Sequence, residues 1–409
     1  MNRANFIKTI SSATLATGLP FPIWSCASKL NANTILGFDE MAKDDDFIIK
    51  DIDTFLLRKA LFVSVELNNG IKGWAEAMPN DKRSSRTLIE KTLKNYYEGT
   101  NIFDAEKTWD LCIKSEYDLG PGGLLTYSIS GIDCAIYDAM GKVTKKPVYE
   151  LLGGKLHDSV EIYASFTRDV YPTPEKAAEK AKQLVVEGYK AMKFRMRWGL
   201  ENQDSPNDNT TAFAAALKKG VGDNIKLAMD ANMGHSRNRA IELGKELEAF
   251  DLAWWEEPTA PYDYDAIKAI VEQVDIPIVF GEHAYTVEQI KHLLTYGGSW
   301  AVNPDLLKCG GFTGGKRIGD YIAAQNVKLV AHNSRPSLST VCMLHWVCAT
   351  KMATEPQEFA LREKAPGAFD ALTGFPEFKN GRLYISDRPG LGVEVDEDQV
   401  RAYDKKYTR

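Results

Sequence analysis

Residues 225–283 read IKLAMDANMGHSRNRAIELGKELEAFDLAWWEEPTAPYDYDAIKAIVEQVDIPIVFGEH, and this stretch repeats one pattern three times. In each repeat a short apolar run, typical of a β-strand, ends in an acidic residue, and the intervening segments have helical character. The acidic residues are Asp230, Glu256 and Glu282, each 26 residues after the one before. Strands that alternate with helices at this spacing predict parallel β/α units.

The same pattern continues on both sides of this stretch. β-type runs precede it at VEIYASF and KAMKFRM and follow it at AVNPDLL and VKLVAHN. Asp305 and His332 follow Glu282 at steps of 23 and 27 residues. Because catalytic groups of β/α barrels lie at the carboxyl ends of the strands, we expect these three residues, together with Asp230 and Glu256, to face one barrel mouth.

Three of these side chains predict a metal site. Asp230, Glu256 and Glu282 offer anionic oxygen ligands with no Cys or His among them, which favours Mg²⁺ over zinc, with Mn²⁺ as an alternative. Without a cation, three buried carboxylates would repel each other. Such a cation would stabilise the charge that forms when the carbon beside a substrate carboxylate loses its proton.

The remaining polar residues of the mouth predict proton transfer. Asp305 can orient the imidazole of His332 and raise its basicity, which makes this pair the acid/base candidate. Lys193 and Arg195 alternate on one strand, so both face the interior, either flanking the bound acid opposite His332 or forming salt bridges with the carboxylates. His235 is a further candidate for contact with substrate.

The chain before the barrel predicts a smaller α+β unit. The runs FIIKDIDTFLLR and ALFVSVELNNGIKGWAEA, with a turn signal at Asn69-Gly70, predict a small antiparallel sheet. Residues 84–97 and 104–115 have helical periodicity, and a long apolar helix should follow and stop before Pro147.

Composition excludes two classes of partner. The formal net charge is −6 and no run of basic residues occurs, which argues against nucleic-acid binding. No stretch approaches the ~18 uncharged apolar residues that a membrane-spanning helix needs.

The first thirty residues have the layout of an export signal. Residues 1–30 have a basic start, an apolar middle and no acidic residue, resembling a twin-arginine signal or, at Cys26, a lipoprotein signal. We expect a periplasmic or otherwise exported protein, and a cytoplasmic one if this leader does not function.

An ordered set of motifs carries a family resemblance. GIKGWAEA, SISGIDCAIYDAMGKVTKKPVYELLGG, GYKAMKFR, LAMDAN, WWEEP, GEH, NPDLLKCGGFTGG and GRLYISDRPGLGVEVDED cover nearly all of the chain from Phe47 onward. On these motifs the chain is identified as a member of the mandelate racemase/muconate lactonizing enzyme branch of the enolase superfamily, in which a Lys or His base acts with magnesium.

The resemblance implies an α/β fold and a domain plan. A modified TIM barrel, (β/α)7β, spans residues 159–372, and an α+β capping domain is formed by residues 43–158 and the C-terminal segment 373–409. The resemblance also implies metal ligands at Asp230, Glu256 and Glu282, a His332/Asp305 dyad, and a homo-oligomer, either a dimer or an octamer.

Three features depart from the family pattern. Arg195 stands where the family often has a second Lys, commonly the base on the opposite face. The eighth-strand glutamate that usually donates to the substrate carboxylate is best matched by Glu363 in FALRE, with Glu358 as a competitor. The loop after the first strand, normally a long lid, is reduced to residues 57–60.

These features favour the dehydration of a sugar acid (aldonic, aldaric or uronic-derived) to a 2-keto-3-deoxy acid. Arg195 is a poor base because its pKa lies above ~12, and Lys193 is a base only if its pKa is lowered, which leaves His332. A racemase, epimerase or cycloisomerase acting through the same enolate is the first alternative. The second is a sugar-acid binding protein without turnover.

Overall fold

A three-stranded antiparallel sheet begins the part of the chain that the structure describes. The computed structural model describes residues 40–78, 82–361 and 368–408. The sheet has the order β1-β2-β3, with the strands β1 (Ile49–Leu56), β2 (Leu61–Leu67) and β3 (Lys72–Ala77). The β1–β2 turn is short and is closed by a 2.9 Å hydrogen bond from Leu57 N–H to the Ala60 carbonyl, so no long lid leaves the sheet there.

Five α-helices follow this sheet before the barrel within the described residues. They are α1 (Lys82–Leu88), α2 (Lys94–Tyr97), α3 (Ala105–Ser115), α4 (Leu124–Thr144) and α5 (Val148–Leu151). A π-helical turn, Ile89–Leu93, joins α1 to α2. Helix α4 is buried on nearly every face rather than on one stripe, because the sheet covers one side and the barrel helix that begins at Gly311 covers another.

Gly73 is required where β3 crosses α4. A Cβ built there would overlap the Ala135 carbonyl oxygen and lie 2.7 Å from the Ala139 nitrogen, and neither backbone atom can move away easily. We expect Gly73→Ala to lower the free energy of unfolding by about 3 kcal/mol, measured by urea denaturation. Gly70→Ala is the control, since nothing lies within 4 Å of that position and only its positive φ of 81° opposes the change. Equal losses in both variants would contradict the packing argument.

In the part of the chain that the structure describes, eight parallel strands form the barrel. They are β4 (Val160–Thr167), β5 (Ala191–Arg195), β6 (Lys226–Asp230), β7 (Trp254–Glu256), β8 (Ile278–Phe280), β9 (Ala301–Val302), β10 (Lys328–Leu329) and β11 (Gln357–Ala360). Their order in the sheet is β10-β9-β8-β7-β6-β5-β4-β11. The Glu358 N–H donates to the Ala331 carbonyl at 3.3 Å, and this bond joins the last strand to the end of β10 and closes the barrel.

Seven α-helices connect these strands in the described chain. They are α6 (Pro174–Val186), α7 (Thr210–Val221), α8 (Arg237–Leu247), α9 (Tyr264–Gln273), α10 (Val287–His292), α11 (Gly311–Ala324) and α12 (Leu338–Cys348). This arrangement confirms the expected (β/α)7β barrel. The lower part of its interior is apolar and includes Tyr163, Ala228, Trp254 and Val279.

The capping domain is attached beside the barrel mouth. Both oxygens of Asp133 on α4 accept hydrogen bonds from Thr313, at 2.7 Å from the hydroxyl and 3.0 Å from the backbone N–H. Trp109 donates from Nε1 to the Gly310 carbonyl at 2.8 Å. These contacts hold the start of α11, which follows β9 at the carboxyl end of the strands, so the capping domain lies on the mouth side.

The C-terminal segment contacts both domains. The hairpin of β13 (Glu377–Lys379) and β14 (Arg382–Tyr384) pairs antiparallel with β4, and β12 (Leu372–Thr373) pairs with β15 (Glu394–Val395). Helix α13 (Glu397–Tyr407) returns to the first sheet, where Asp404 accepts a 2.8 Å hydrogen bond from the Leu56 N–H.

Several sequence predictions stay untested by these contacts. The export signal over residues 1–30, Cys26 and Glu363 lie outside the described residues, and the predicted domain boundaries and oligomeric state remain predictions. No helix within the described ranges is long and apolar enough to cross a membrane.

Candidate active site

The carboxyl ends of β5, β6 and β7 place four charged side chains in the barrel interior. Asp230 is in register with Arg195 on one side and Glu256 on the other, and Lys193 lies two residues before Arg195 on the same face. Strand alternation sends their neighbours Met192, Phe194 and Trp255 outward to the helices. All four charged residues are at least nine-tenths buried.

The two cations are paired with the carboxylates around them. Lys193 Nζ lies 2.6 Å from Glu256 Oε1, 3.4 Å from Glu358 Oε1 and 3.9 Å from Asp230 Oδ2. Arg195 Nε donates to Asp230 Oδ2 at 3.2 Å. The contacts therefore match the salt-bridge alternative for the Lys-x-Arg pair. Burial would lower the pKa of Lys193, but the charges of Glu256 and Glu358 raise it well above its usual value, so this lysine is held as a cation rather than as a base.

The predicted dyad is formed. His332 Nδ1 lies 2.8 Å from Asp305 Oδ2, and the two residues form a parallel β-bridge beyond the ends of β9 and β10. The Leu307 N–H donates to Asp305 Oδ1 at 2.8 Å, which fixes the carboxylate. The second ring nitrogen, Nε2, faces the interior, 2.9 Å from Glu282 Oε2 and 3.7 Å from Glu358 Oε2. The geometry is that of an imidazole oriented through Nδ1, with Nε2 directed into the interior beside Glu282.

The charge around His332 favours its protonated form. Burial alone would lower the pKa of His332, but the carboxylates of Glu282 and Glu358 and the hydrogen bond to Asp305 raise it to about 9. Lys308, with its Nζ 3.7 Å from Glu282 Oε1, opposes this effect. If a cation neutralised these carboxylates, the pKa of the imidazole would fall toward neutrality, where a general base is most effective.

The predicted metal ligands do not lie together at ligand spacing. Within the described ranges, the side chains whose ligand atoms lie within 4.8 Å of one another are Glu257, Glu282 and His283. Glu257 and His283 already bond to each other, with Nδ1 3.0 Å from Oε2. Asp230 and Glu256 pair with Arg195 and Lys193 in this structure, and their role as metal ligands together with Glu282 stays a prediction.

The site nevertheless fits a divalent cation. The ion pairs above connect five buried carboxylates (Asp230, Glu256, Glu282, Asp305 and Glu358) with three lysine or arginine cations (Lys193, Arg195 and Lys308), which leaves two negative charges in excess when all five carboxylates are ionised and His332 is neutral. Burial, together with the charges of the neighbouring acids Asp230, Glu358 and Glu282, raises the pKa of Glu256 to about 8 against the opposing effect of Lys193. Buried acidic groups with such a surplus are a ready site for a hard cation.

A neighbouring amide also lacks a partner. Asn303, two residues before Asp305, is fully buried, and neither atom of its side-chain amide has a hydrogen-bond partner among the described residues. Its Oδ1 lies beside Gly281, the residue before Glu282. Because buried amides are normally hydrogen-bonded, a polar group of a ligand or a water belongs there.

Of the two glutamates considered for the eighth strand, Glu358 lies in the site. Glu358 is fully buried on β11, beside Lys193, and its Oε2 accepts a 2.9 Å hydrogen bond from the Asn333 N–H. Burial would raise its pKa, but the charges of Lys193 and His332 lower it, so it remains ionised. Glu363 lies outside the described residues, and its role stays a prediction.

His235 contacts none of the predicted site residues. Its ring is fully buried 6.0 Å from that of Trp255, which faces away from the barrel interior, and the nearest carboxylate, that of Asp208, is 3.8 Å away. Burial lowers the pKa of His235, so the ring is neutral. The prediction that it could touch substrate finds no support in this placement.

Sequence reasoning missed residues next to the motifs it used. Glu257 and His283 directly follow Glu256 and Glu282, and their adjacency to predicted ligands was an available signal. Tyr127, from the first turn of α4, packs edge-to-face on Tyr285 with the ring centroids 5.5 Å apart. Burial, the contact with Tyr285 and the charges of Asp305 and Glu282 raise the pKa of Tyr127. Its place near the mouth depends on how the two domains pack, and no local pattern indicates it.

Comparisons with known proteins agree with this architecture. Residues 52–153 match the description "Mandelate racemase / muconate lactonizing enzyme, N-terminal domain", and residues 176–399 match "Enolase C-terminal domain-like". The chain is 29% identical to a D-galactarolactone cycloisomerase of Agrobacterium fabrum, over 85% of this chain and 91% of the relative. It is 27% identical to a D-xylonate dehydratase of Haloferax volcanii, over 84% and 85%.

A solved structure with bound metal is also similar. It is a mandelate racemase/muconate lactonizing protein of Paracoccus denitrificans in complex with magnesium. The TM-score is 0.81 at 26% identity, and the match covers 87% of this chain and 96% of that one.

Proposed function

The chain belongs to the mandelate racemase/muconate lactonizing enzyme family of the enolase superfamily, and from this membership and the site geometry we propose that it dehydrates a sugar acid to a 2-keto-3-deoxy acid. The observation that carries the proposal is the dyad. One oriented imidazole, His332, faces the interior, while Lys193 and Arg195 are held in ion pairs. Relatives that act on xylonate, arabinonate and galactonate as dehydratases support this substrate class.

We propose Mg²⁺ as the cofactor, with Mn²⁺ as the alternative, held by Asp230, Glu256 and Glu282. Oxygen ligands alone and the surplus negative charge favour this choice over Zn²⁺. The hydrogen bond between Glu257 and His283 then orients the loop beside the metal site rather than supplying ligands. When bound, the cation supplies the positive charge that stabilises a substrate carboxylate as its α-carbon loses a proton.

One side chain of this site accounts for both proton transfers of the elimination. His332 Nε2 removes the α-proton, and Asp305 keeps the opposite nitrogen protonated and stabilises the imidazolium. The C–O bond to the β-hydroxyl breaks as a carbon–carbon double bond forms, and the imidazolium returns its proton to the departing oxygen, which leaves as water. The resulting enol tautomerises to the keto acid. Lys193 and Arg195 provide positive charge on the wall against which the acid binds, and Glu358 holds Lys193 in place.

Cycloisomerisation is the second candidate function, favoured by the similarity to the D-galactarolactone cycloisomerase. In this reaction His332 again removes the α-proton, but the group that leaves the β-carbon is the ring oxygen of a lactone. The ring opens and no water is released. A sugar-acid binding protein without turnover is the third candidate.

The test is a screen of aldonic, aldaric and uronic acids and their lactones, followed by proton NMR in deuterated water. Magnesium-dependent release of a keto acid with water is the expected result. Ring opening of a lactone would favour the cycloisomerase, and α-hydrogen exchange with inversion and no elimination would favour a racemase or epimerase. Tight binding of an acid with neither exchange nor product would contradict an enzymatic function.

A further inference from the structure

A buried carboxylate of the capping domain reaches the loop that carries His332. Glu76 lies on β3 and is fully buried. Its Oε1 accepts a 2.9 Å hydrogen bond from Arg335 Nε, and its Oε2 accepts from the Ser337 hydroxyl and, at 3.4 Å, from the Ser339 N–H. Glu76 and the residues it contacts are about 260 positions apart in the chain, so this contact exists only because the two domains are packed together.

Arg335 organises the loop from within. Its side chain is 7% exposed, and Glu76 is its ion-pair partner among the residues the structure describes. Its Nη2 donates to the Ser339 hydroxyl at 3.3 Å, and its backbone carbonyl accepts from the Thr340 hydroxyl at 2.6 Å. A buried guanidinium without an anion costs several kcal/mol, so the position of Arg335 depends on Glu76.

The network continues to two groups of the active site. The Ser339 hydroxyl donates to Asn333 Oδ1 at 2.7 Å, and Asn333 Nδ2 donates to the Thr340 hydroxyl at 2.6 Å. The Asn333 N–H donates to Glu358 Oε2 at 2.9 Å. Asn333 directly follows His332, the general base, in the chain, and its N–H is hydrogen-bonded to Glu358 on the eighth strand. The network therefore ends at a residue that is connected to both groups.

We propose that the Glu76–Arg335 pair is a positioning device of the capping domain that fixes His332 and Glu358 in their reactive places. The expected effect of this pair on turnover rests on the proposed function, whereas its expected effect on the position of the His332 imidazole does not. In this view the capping domain is part of the proton-transfer machinery as well as a cover for the mouth. Arg335 and Glu76 act through the loop and do not touch the reacting atoms.

The test uses three variants and a matched control: Arg335→Met, Glu76→Gln, the double variant, and Arg317→Met. Arg317 also pairs across the two domains, with Asp110 and Glu106 at 2.7 Å, but contacts none of the site residues. The first readout is the histidine side-chain NMR spectrum, with His332 assigned from the His332→Asn variant. Both single variants should shift the His332 ring resonances, and Arg317→Met should leave them in place.

The second readout is steady-state kinetics with the best substrate from the screen. We expect kcat to fall about 10- to 100-fold in both single variants, with KM and calorimetric Mg²⁺ affinity changed less than about 3-fold. The double variant should regain thermal stability relative to the single variants, because no buried charge is left unpaired, but it should not regain kcat.

Three results would overturn the proposal. Unchanged His332 resonances in both single variants would show that the pair serves stability alone, whether or not a substrate has been found. A raised KM at unchanged kcat would show that Arg335 binds substrate directly. Recovery of kcat in the double variant would show that an unpaired charge, rather than lost positioning, caused the defect. If no substrate is turned over while the His332 shift occurs, the proposed function fails and the positioning role stands.

Discussion

His332→Asn should abolish both turnover and α-hydrogen exchange. The imidazole is the acid/base candidate of the site, because Asp305 orients it through Nδ1 at 2.8 Å and Nε2 faces the interior beside Glu282. Asparagine fills a similar volume but cannot accept a proton near neutral pH. General acid–base catalysis contributes about 10²- to 10⁴-fold, and here the same residue would act twice, so kcat should fall by about 10⁴-fold or more.

The measurement is proton NMR in deuterated water, which follows exchange and product formation in one sample. Lys193→Met is the paired variant, since its cation lies among Glu256, Glu358 and Asp230 on the side opposite the dyad. This variant should chiefly raise KM. Exchange that persists in His332→Asn and disappears on further removal of Lys193 would show a two-base site and favour epimerisation.

Glu256→Gln should remove most of the metal affinity and nearly all turnover. The amide keeps the shape of the side chain but lacks the negative charge that a hard cation requires. Loss of an outer partner of a metal ligand already costs about 10- to 100-fold, so loss of an anionic ligand should weaken Mg²⁺ binding by at least about 100-fold. The accompanying loss of transition-state stabilisation should lower kcat by about 10³-fold or more.

Glu257→Gln is the matched control, because it changes the next residue in the same Glu-Glu-Pro motif. Titration calorimetry with Mg²⁺ and thermal unfolding on both variants separate loss of the ligand from loss of the fold. If Glu257→Gln abolishes Mg²⁺ binding and Glu256→Gln retains it, the cation is held by the cluster of Glu257, Glu282 and His283. That result would replace the predicted ligand set.

The architecture was predictable because it repeats. Apolar runs that end in polar residues at steps of 23–27 residues specify strands of a parallel barrel, and each such residue lies at a carboxyl end. The first sheet was equally readable, since Asn69-Gly70 marks the β2–β3 turn and the short 57–60 segment marks the β1–β2 turn. Local pattern was less informative for α4, whose apolar residues suggested one buried face although the helix is buried almost all round.

The partners of the charged side chains were not predictable in the same way. The sequence placed Lys193 and Arg195 on the inner face, but it left open whether they flank a substrate or pair with carboxylates. For the eighth-strand glutamate it favoured Glu363, with Glu358 as a competitor, because the two glutamates lie only five residues apart. The structure describes Glu358 beside Lys193, with its backbone bonded to the end of β10.

The sequence by itself therefore determined the barrel, the capping sheet, the family and the residues that face the mouth, since all of these follow from local periodicity and ordered motifs. Only the tertiary structure decided that Lys193 pairs with Glu256, that Glu282 lies beside His332, and that Glu76 holds Arg335. The physical reason is the steep dependence of buried electrostatic interactions on distance. Those distances are set by strand register and domain packing between segments far apart in the chain, which no local pattern encodes.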